Sequence, residues 1–426
     1  MGTNRRVVIT GIGPVSTLGI GRKEFWKNLL SMKPVIHPIP SEFEKNYSFN
    51  SRFYVPYPEF TIEEFGIPGK YNIIMGEPVK LAVVCTKLAL EDAGYKIKDG
   101  TIIPQGIVDN AEIILGIGVG NLYDASKAFL AHVFQHIPEF FESNQISSKF
   151  NRMAIPMIMN NSASGWVSIL FGIKGANYTL NSSCSSGTYA VGEAFRKIKE
   201  GHVKMVLTGG VECMKDGYGC FMRGFDSLGT LTRSEDGKPM PFSNKRSGFL
   251  FSEGAGCILI LEELELALKR GATIYAEIID FNANSDAYNI VQIEPSGNQI
   301  NQLIRKTIGE RKIDYFNTHG TGTVLNDETE YNVIRKIFGN KKNQPIINST
   351  KGILGHTIGA SGALEIAVTS LSIHKAQVHA NLTEDPITNL NLPLDTLDLE
   401  INYALSTSYG FGGHNSAVLL KNYTNN

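Results

Sequence analysis

Short apolar segments typical of strands alternate with amphipathic segments typical of helices along most of this chain. From Asn177 onward the alternation is nearly strict, and many strand patterns end at a glycine or a glycine-rich turn. Such alternation indicates buried sheets covered by helices, because each helix carries the chain back to the start of another strand. The sequence therefore predicts an α/β fold.

The predicted elements extend over the whole chain. Strand patterns cover 6–10, 111–115, 177–180, 204–208, 256–262, 274–280, 315–317, 346–348 and 416–420, and helix patterns cover 79–93, 185–200, 327–338 and 362–375. We expect 177–180 to be a buried strand and 120–150 to be a mobile polar stretch. No linker rich in proline or serine divides the chain, which favours one compact unit.

Charge and hydropathy exclude several classes of protein. The 426 residues include 40 Lys and Arg against 41 Asp and Glu, which argues against a nucleic-acid binder with a broad basic surface. No apolar run approaches the ~18–20 residues needed to cross a bilayer, and the N-terminus lacks a signal-peptide pattern. We therefore expect a cytoplasmic protein with neither a membrane nor a nucleic acid as its partner.

The five cysteines fit a reducing compartment, since their number is odd and their spacing irregular. No Cys-x-x-Cys pair is present, so no metal site is predicted. The early turn Gly11–Pro14 is similar to a dinucleotide-binding loop, but Ser16 occupies the third glycine position. We interpret it as a buried strand that ends in a tight turn.

One cysteine, Cys184, lies in the segment Asn181–Gly187, between a strand pattern and an amphipathic helix pattern. This position at a helix N-terminus predicts a lowered pKa for the thiol and hence an activated nucleophile. From this motif alone, a small cysteine of the core is an equally good interpretation. The other four cysteines are interpreted as structural.

Three further glycine-containing loops follow strand patterns. His319 lies in the first, with the sequence NTHGTGT, and Lys351 and His356 lie in the second, NSTKGILGHTIGA. Phe411 lies in the third, YGFGGHN. Glycine lets the backbone approach a reacting centre closely, and ligands of α/β folds bind at the carboxyl ends of strands. The four loops together predict one active site.

These motifs resemble those of the β-ketoacyl synthases, of the thiolase superfamily, in order and spacing over essentially the whole chain. The pattern is most similar to the elongating, synthase II-like class. The resemblance implies a thiolase-like layered αβαβα fold made of two similar halves. Residues 1–262 would carry the nucleophile and residues 263–426 both histidines.

The resemblance also implies the chemistry. An acyl group would be loaded onto Cys184 and condensed, in a decarboxylative Claisen reaction, with malonyl held on an acyl carrier protein. His319 and His356 would promote decarboxylation and hold the enolate oxygen as neutral donors. The backbone N–H groups of Cys184 and Phe411 would form the oxyanion hole, and Phe411 would act as a gate.

Supporting roles follow in the same way from the resemblance. Lys351 and Glu330 would form a buried ion pair that orders the site. Thr321 and Thr323 would hydrogen-bond the pantetheine arm of the carrier protein. No cofactor of its own is implied beyond that substrate-borne phosphopantetheine, and a homodimer is expected.

Some features depart from the family pattern and leave alternatives open. Val324 stands where many members have proline, and the segment 69–75 lacks the usual cluster of basic residues. Carrier identity therefore stays open, between fatty-acid synthesis and a polyketide-like pathway. A thiolase would need a second cysteine in the C-terminal half of the chain as its acid and base. No cysteine follows Cys257, so the thiolase alternative is disfavoured. The main alternative is a non-catalytic chain-length-determining partner subunit of a type II polyketide system.

Overall fold

The structure is a computed structural model that describes residues 5–45, 47–98, 101–102, 110–144 and 147–424. The strands are β1 (Val7–Ser16), β2 (Gly19–Ile20), β3 (His37–Pro38), β4 (Phe53–Tyr54), β5 (Ile97–Lys98), β6 (Thr101–Ile102), β7 (Glu112–Gly116), β8 (Asn177–Leu180), β9 (Met205–Cys213), β10 (Gly254–Glu263), β11 (Ala276–Ser285), β12 (Tyr315–Asn317), β13 (Ile346–Asn348), β14 (Gln377–Val378), β15 (Leu397–Asp398), β16 (Tyr403–Gly410) and β17 (His414–Lys421).

Within the described residues, fourteen α-helices connect or flank these strands. They are α1 (Arg22–Leu30), α2 (Ser41–Glu44), α3 (Glu77–Asp92), α4 (Leu122–Val133), α5 (Pro138–Asn144), α6 (Ala154–Ile158), α7 (Ser162–Phe171), α8 (Ser186–Lys199), α9 (Cys220–Ser227), α10 (Leu264–Lys269), α11 (Asn298–Ile308), α12 (Val324–Phe338), α13 (Lys351–Leu354) and α14 (Ser361–Lys375). Among the residues described, no helix is long and apolar enough to cross a bilayer.

Eleven strands form one mixed sheet, in the order β13-β12-β16-β17-β11-β1-β10-β9-β7-β8, with β2 beside β1. Strand β1 is buried along its whole length and pairs antiparallel with β10 and, through Val7–Ile9, with β11. It therefore joins the strands of the N-terminal part of the chain to those of the C-terminal part.

Helices cover both faces of this sheet in layers. Helices α3 and α7 pack on one face of the N-terminal strands, and α11 packs on β11 and β17 with α12 beside it. Helices α8 and α14 contact each other and contact both the N-terminal and the C-terminal strands of the sheet. They therefore form the helix layer in the middle, between these two sets of strands. This arrangement confirms the predicted α/β class and the thiolase-like αβαβα layering.

The composition of α14 explains why it can be buried in the middle layer against α8. In α14 every residue from Ser361 to Ile373 is buried, and the sequence SGALEIAVTSLSI consists mainly of small and aliphatic residues. Small residues allow α14 to lie close to α8, where a Cβ at Gly187 would stand 2.8 Å from the backbone nitrogen of Ala363. Two of the active-site loops lead into the N-termini of α8 and α14.

Two local predictions are wrong. Strand β8 is only partly buried, because it is the last strand of the sheet and lacks a neighbour on one side within the described chain. The stretch 120–150 contains helices α4 and α5, and the side chain of Asn121 accepts a hydrogen bond from the N–H of Asp124 to cap α4. Apolar side chains of this region face solvent, so they give no core-facing pattern.

Candidate active site

Four loops meet at a cavity of about 330 Å³. The cysteine loop leads from β8 into α8, one histidine loop follows β12, the second lies between α13 and α14, and the phenylalanine loop follows β16. The cavity wall contains six of the predicted site residues, Cys184, His319, Thr321, Thr323, His356 and Phe411. The structure thus brings together residues that are 227 positions apart in sequence, from 184 to 411.

The Cys184 thiol is almost fully buried and sits in a 3-10 turn, Ser183–Ser185, directly before α8. Burial raises the pKa of this thiol, although the Ser183 hydroxyl, the Lys351 charge and the backbone N–H of Phe411 act against the rise. The expectation of a lowered thiol pKa is therefore wrong, because loss of solvation is the largest influence on this thiol and favours its neutral form.

Backbone packing fixes the Cys184 turn in place. Gly410, the last residue of β16, lies so close that a Cβ there would stand 2.6 Å from the carbonyl oxygen of Ser182 and 3.2 Å from the backbone nitrogen of Cys184. The side chain of Ser185 donates to the carbonyl oxygen of His414 at 2.7 Å. The backbone N–H of Phe411, the next residue after Gly410, hydrogen-bonds the Cys184 sulfur.

His319 is oriented by a buried lysine. Its Nδ1 lies 3.2 Å from Nζ of Lys351, and the same ammonium donates to the His319 carbonyl oxygen at 2.8 Å. An ammonium group has only donors, so Nδ1 must accept and the ring proton resides on Nε2. The lysine therefore sets the tautomer in which His319 can donate a hydrogen bond to the cavity.

His356 acquires the same tautomer from neutral groups. Its Nδ1 accepts from the backbone N–H of Ile358 at 3.4 Å and lies 3.0 Å from the Ser361 hydroxyl. Its Nε2 is then the protonated nitrogen. The ring also packs edge-on against Phe249, with 5.1 Å between the ring centroids.

The imidazole rings of His319 and His356 lie edge to face, and both stay neutral. Their ring centroids are 5.5 Å apart with an angle of 83° between the planes. Burial lowers the pKa of both rings well below the ordinary value, and the Lys351 charge lowers both further. Two neutral N–H donors at one cavity wall can stabilise an oxygen on which negative charge develops.

The predicted ion pair between Lys351 and Glu330 is wrong. Lys351 pairs with Glu365 of α14, and both side chains are 2% exposed. Burial raises the pKa of Glu365 to about 7, and the Lys351 charge opposes the rise. Lys351 therefore connects a carboxylate of the middle helix layer with the Nδ1 atom of His319.

Glu330 acts on the backbone of the same histidine loop. Its carboxylate accepts from the N–H groups of His319 at 3.0 Å and Gly320 at 2.6 Å, and from the amide of Asn326 at 2.9 Å. Burial and the nearby Asp327 raise its pKa to about 8. Glu330 and Lys351 thus both hold His319, one through the main chain and the other through the side chain.

The two threonines lie on the route into the cavity. The Oγ1 atoms of Thr321 and Thr323 are 2.9 Å apart, and both residues line the cavity. Each hydroxyl can donate one hydrogen bond and accept others. The pair therefore offers polar contacts to an amide-containing arm. Among the residues described, no group of His, Cys, Asp or Glu is arranged to hold a metal ion.

Sequence reasoning missed three residues that hold the site. They are Glu365, Ser361 and Glu212. The Glu212 carboxylate accepts from four backbone N–H groups, including those of Gly118 at 2.8 Å and Gly359 at 3.1 Å. Glu212 thereby joins the loop after β7 to the loop after His356. Glu212 and Glu365 have the same signal in the sequence: each is a single acidic residue inside an otherwise apolar strand or helix pattern.

Comparison with known proteins agrees with this geometry. The family model for the beta-ketoacyl synthase N-terminal domain matches residues 4–267, and that for the C-terminal domain matches residues 275–384. The chain is 32% identical to 3-oxoacyl-[acyl-carrier-protein] synthase 2 of Staphylococcus aureus (strain N315), over 99% of this chain and 100% of that protein.

Solved structures show the same similarity. A beta-ketoacyl synthase from Burkholderia phymatum STM815 superposes with a TM-score of 0.84 at 29% identity, over 99% of this chain and 100% of that one. A type II polyketide synthase acyl-carrier protein in complex with its ketosynthase gives a TM-score of 0.80 at 26% identity, with the same coverage. The motifs, the layered fold and full-length similarity lead to one conclusion: the chain belongs to the β-ketoacyl synthase family.

Proposed function

We propose that this protein is an acyltransferase, a 3-oxoacyl-[acyl-carrier-protein] synthase that extends an acyl chain by decarboxylative Claisen condensation. The observation that carries the proposal is the meeting of one buried thiol with two neutral imidazoles whose free nitrogens are both donors. The full-length relatives are named for this activity, in fatty-acid synthesis or the related polyketide chemistry.

In the first half-reaction the Cys184 thiolate attacks the carbonyl carbon of an acyl thioester. The oxygen of the tetrahedral intermediate accepts hydrogen bonds from the backbone N–H groups of Cys184 and Phe411. The bond to the carrier's sulfur then breaks, and the carrier thiol takes up the proton that the Cys184 thiol gave up. The acyl group remains on Cys184 as a thioester.

In the second half-reaction a malonyl thioester loses CO₂. The electron pair of the broken bond forms an enolate, whose oxygen is held by Nε2–H of His319 and His356. The enolate carbon attacks the acyl carbonyl on Cys184, the bond to sulfur breaks, and the 3-oxoacyl product leaves on the carrier protein. Thr321 and Thr323 bind the pantetheine arm during both half-reactions, and Phe411 gates the cavity.

The partner is an acyl carrier protein, and the phosphopantetheine group arrives on it, so the enzyme needs no cofactor of its own. Five free cysteines, one of them exposed, fit a cytoplasmic enzyme that works with a reduced thiol. The non-catalytic partner subunit is the less favoured function, because such a subunit has no use for a nucleophile with both histidines.

We also infer a homodimer formed along β8. Among the described residues this edge strand pairs on one side only, and α7 beside it exposes apolar side chains, as do α6, which contacts α7, and α4, which contacts α6. Examples are Phe129, Ile155 and Ile169, which are 64%, 66% and 69% exposed. Sedimentation at micromolar concentration should give twice the chain mass, and a monomer would contradict this inference.

The experiment is to incubate the protein with acyl and malonyl carrier proteins and to weigh both protein and products. The wild-type protein should gain the mass of the acyl group and then release a chain that is two carbons longer. Cys184→Ala should do neither, while Cys85→Ala, a control at a buried structural cysteine, should do both. Acylation and elongation by Cys184→Ala would exclude the proposed mechanism.

A further inference from the structure

A second cleft, of about 900 Å³, lies between α2, β4, the start of α3, the turn after β9 and the residue before β10. Among the residues described, its lining shares no member with that of the active-site cavity. The segment 249–253 separates the two, because the carbonyl oxygen of Leu250 accepts from the N–H of His356 at 2.8 Å while Glu253 lines the cleft. A ligand held in this second cleft is therefore not the substrate that reacts at Cys184.

Aromatic rings form much of the wall of the second cleft. Phe43 and Tyr54 have ring centroids 5.7 Å apart, and Tyr57 and Phe60 form another pair at 6.1 Å. Three prolines restrict the backbone around these rings: Pro40, Pro56 and Pro58. The face of an aromatic ring carries negative potential and attracts cations, and its carbon atoms also pack against methylene groups. The walls therefore suit a ligand that combines positive charge with an apolar chain.

One buried carboxylate, that of Glu253, lines the same cleft. The residue is 6% exposed, and its Oε2 accepts from the backbone N–H of Tyr57 at 3.0 Å. Its other oxygen, Oε1, has no hydrogen-bond or ion-pair partner within the described part of the chain. Burial raises the pKa of this carboxyl, and the Tyr57 N–H and the Lys215 charge oppose the rise. A buried carboxylate without a paired cation is stabilised by a cation that a ligand brings.

The chain's own Lys215 shows that an ammonium group is favoured at this wall. Its Nζ lies 5.6 Å from the centroid of the Tyr57 ring, which is a cation–π distance. Lys215 is exposed and pairs with no carboxylate among the residues that the structure describes, so its flexible side chain can move aside. An incoming ammonium can then take its place over the ring.

Acidic residues predominate in the rest of the lining. Besides Lys215 the cleft has one other cation, Lys80, which pairs with Glu77 at 2.7 Å. Against these two lysines the lining carries five glutamates: Glu42, Glu59, Glu64, Glu77 and Glu253. Several carboxylates around one cleft favour a ligand with more than one positive charge.

We propose that the second cleft is a binding site for a small organic polycation of the aliphatic polyamine class. One ammonium group contacts the Glu253 carboxylate and the Tyr57 ring in place of Lys215. The methylenes pack on the aromatic walls, and the remaining ammonium groups face the exposed glutamates. A cleft of this volume lies within the range of about 300–1,000 Å³ that is usual for small-molecule sites.

Calorimetric titration of the full chain with spermidine tests the proposal. The wild-type protein should bind one spermidine, and Glu253→Gln should bind it about tenfold or more weakly, because the amide oxygen still accepts from Tyr57 but lacks the charge. Lys215→Gln removes the competing ammonium and should strengthen binding by about threefold or more. Glu235→Gln, at an exposed glutamate outside the cleft, is the matched control and should bind like the wild type.

A pair of variants at Tyr57 tests the aromatic wall. Tyr57→Phe keeps the ring and should retain the affinity, whereas Tyr57→Leu should lose about three- to tenfold. Thermal unfolding would show that each variant is folded. If Tyr57→Leu does not fold, the variants at Glu253 and Lys215 still decide the question.

Three results would overturn the proposal. They are equal affinity of Glu253→Gln and the wild type for spermidine, equal binding of the uncharged hexanediol, and tighter binding of an end-blocked tri-lysine peptide than of spermidine. The last result would assign the cleft to a lysine-bearing protein segment instead. Because binding is measured without any condensation, its absence would leave the proposed function intact, and a failure to condense would leave this inference intact.

Discussion

The two sides of the cavity are built by different means. The cysteine side is held by close backbone packing, at the 3-10 turn, the start of α8 and Gly410, together with short polar side chains such as Ser185. The histidine side is held by buried side chains, with Lys351, Glu365 and Glu330 behind His319 and Ser361 behind His356. Close packing therefore positions the proposed nucleophile, whereas buried charges and hydrogen bonds position the two proposed donors, so mutations should separate the proposed half-reactions.

The largest expected separation comes from Lys351→Met. The change leaves the Glu365 carboxylate buried without its partner and frees Nδ1 of His319, so the ring can adopt the wrong tautomer. We expect the free energy of unfolding to fall by about 3–5 kcal/mol and CO₂ release from the malonyl substrate to fall by about 10²–10³-fold. Acylation of Cys184, followed by mass, should fall much less.

Two further variants make this prediction decisive. Lys245→Met, at an exposed lysine, should leave stability and both half-reactions unchanged. Adding Glu365→Leu to Lys351→Met removes the uncompensated charge and should recover stability in urea unfolding without recovering CO₂ release. Equal loss of acylation and decarboxylation in a folded Lys351→Met protein would show that the two sides are not independent.

The next largest effect is expected from Gly410→Ala, on the opposite side. The added Cβ meets the backbone of Ser182 and Cys184, so the Cys184 turn must shift. A shift of about 1 Å at a reacting group can cost about a hundredfold in rate, and we expect this loss in acylation. Decarboxylation should be retained within a few fold, which CO₂ release would measure.

Gly165→Ala in α7 is the matched control, because nothing lies within 4 Å of an added Cβ there. It should leave acylation unchanged. If Gly410→Ala acylates at the wild-type rate, backbone packing is not what positions the nucleophile.

The pH dependence of the two half-reactions should also differ. Burial raises the pKa of the Cys184 thiol, so the thiolate fraction, and with it the rate of acylation, should rise about tenfold per pH unit between pH 7 and 9. The histidines have lowered pKa values and stay neutral, so CO₂ release should change only slightly from pH 6 to 8, and that change should follow Glu365 and Glu330, which hold His319 and whose pKa values are raised to about 7 and about 8. Stopped assays of each step would measure both profiles, and an acylation rate that levels off below pH 8 would contradict the first.

The smallest effect is expected from Ser361→Ala, within the histidine side. It removes one hydrogen bond to Nδ1 of His356 but leaves the N–H of Ile358 in place. Loss of about 1 kcal/mol corresponds to about a fivefold slower decarboxylation. Ser370→Ala, whose hydroxyl bonds within α14, should have no effect on the reaction. If Ser361→Ala releases CO₂ at the wild-type rate, the backbone N–H of Ile358 alone orients His356.

The sequence predicted the fold class and the residues that meet at the cavity because both leave local signals. Cys184, His319, His356 and Phe411 each lie in a short motif at a strand end, and these loops meet in the structure. What failed depends on contacts between distant segments. The partner of Lys351 was assigned to Glu330, but which of two carboxylates reaches a buried ammonium is decided by the packing of α14.

Other misses have the same physical origin. The sequence predicts a strand before the phenylalanine loop but not the bounds of β16, because its polar residues, such as Ser406 and Ser408, are buried between neighbouring elements and give no alternating pattern. The thiol pKa was predicted in the wrong direction because burial of Cys184 comes from other loops. The local sequence shows that Cys184 lies at a helix N-terminus, but it does not show that distant segments exclude water from the thiol.

The burial of α14 from Ser361 to Ile373 has a consequence for how the molecule unfolds. The helix contacts strands of both parts of the sheet, so neither part alone can shield its apolar residues from water. Global unfolding should therefore be a single cooperative transition, in which tertiary structure and both half-reactions are lost together. A chain cut between α10 and β11 should keep its activity only while the two fragments remain associated, which makes catalysis a direct reporter of assembly.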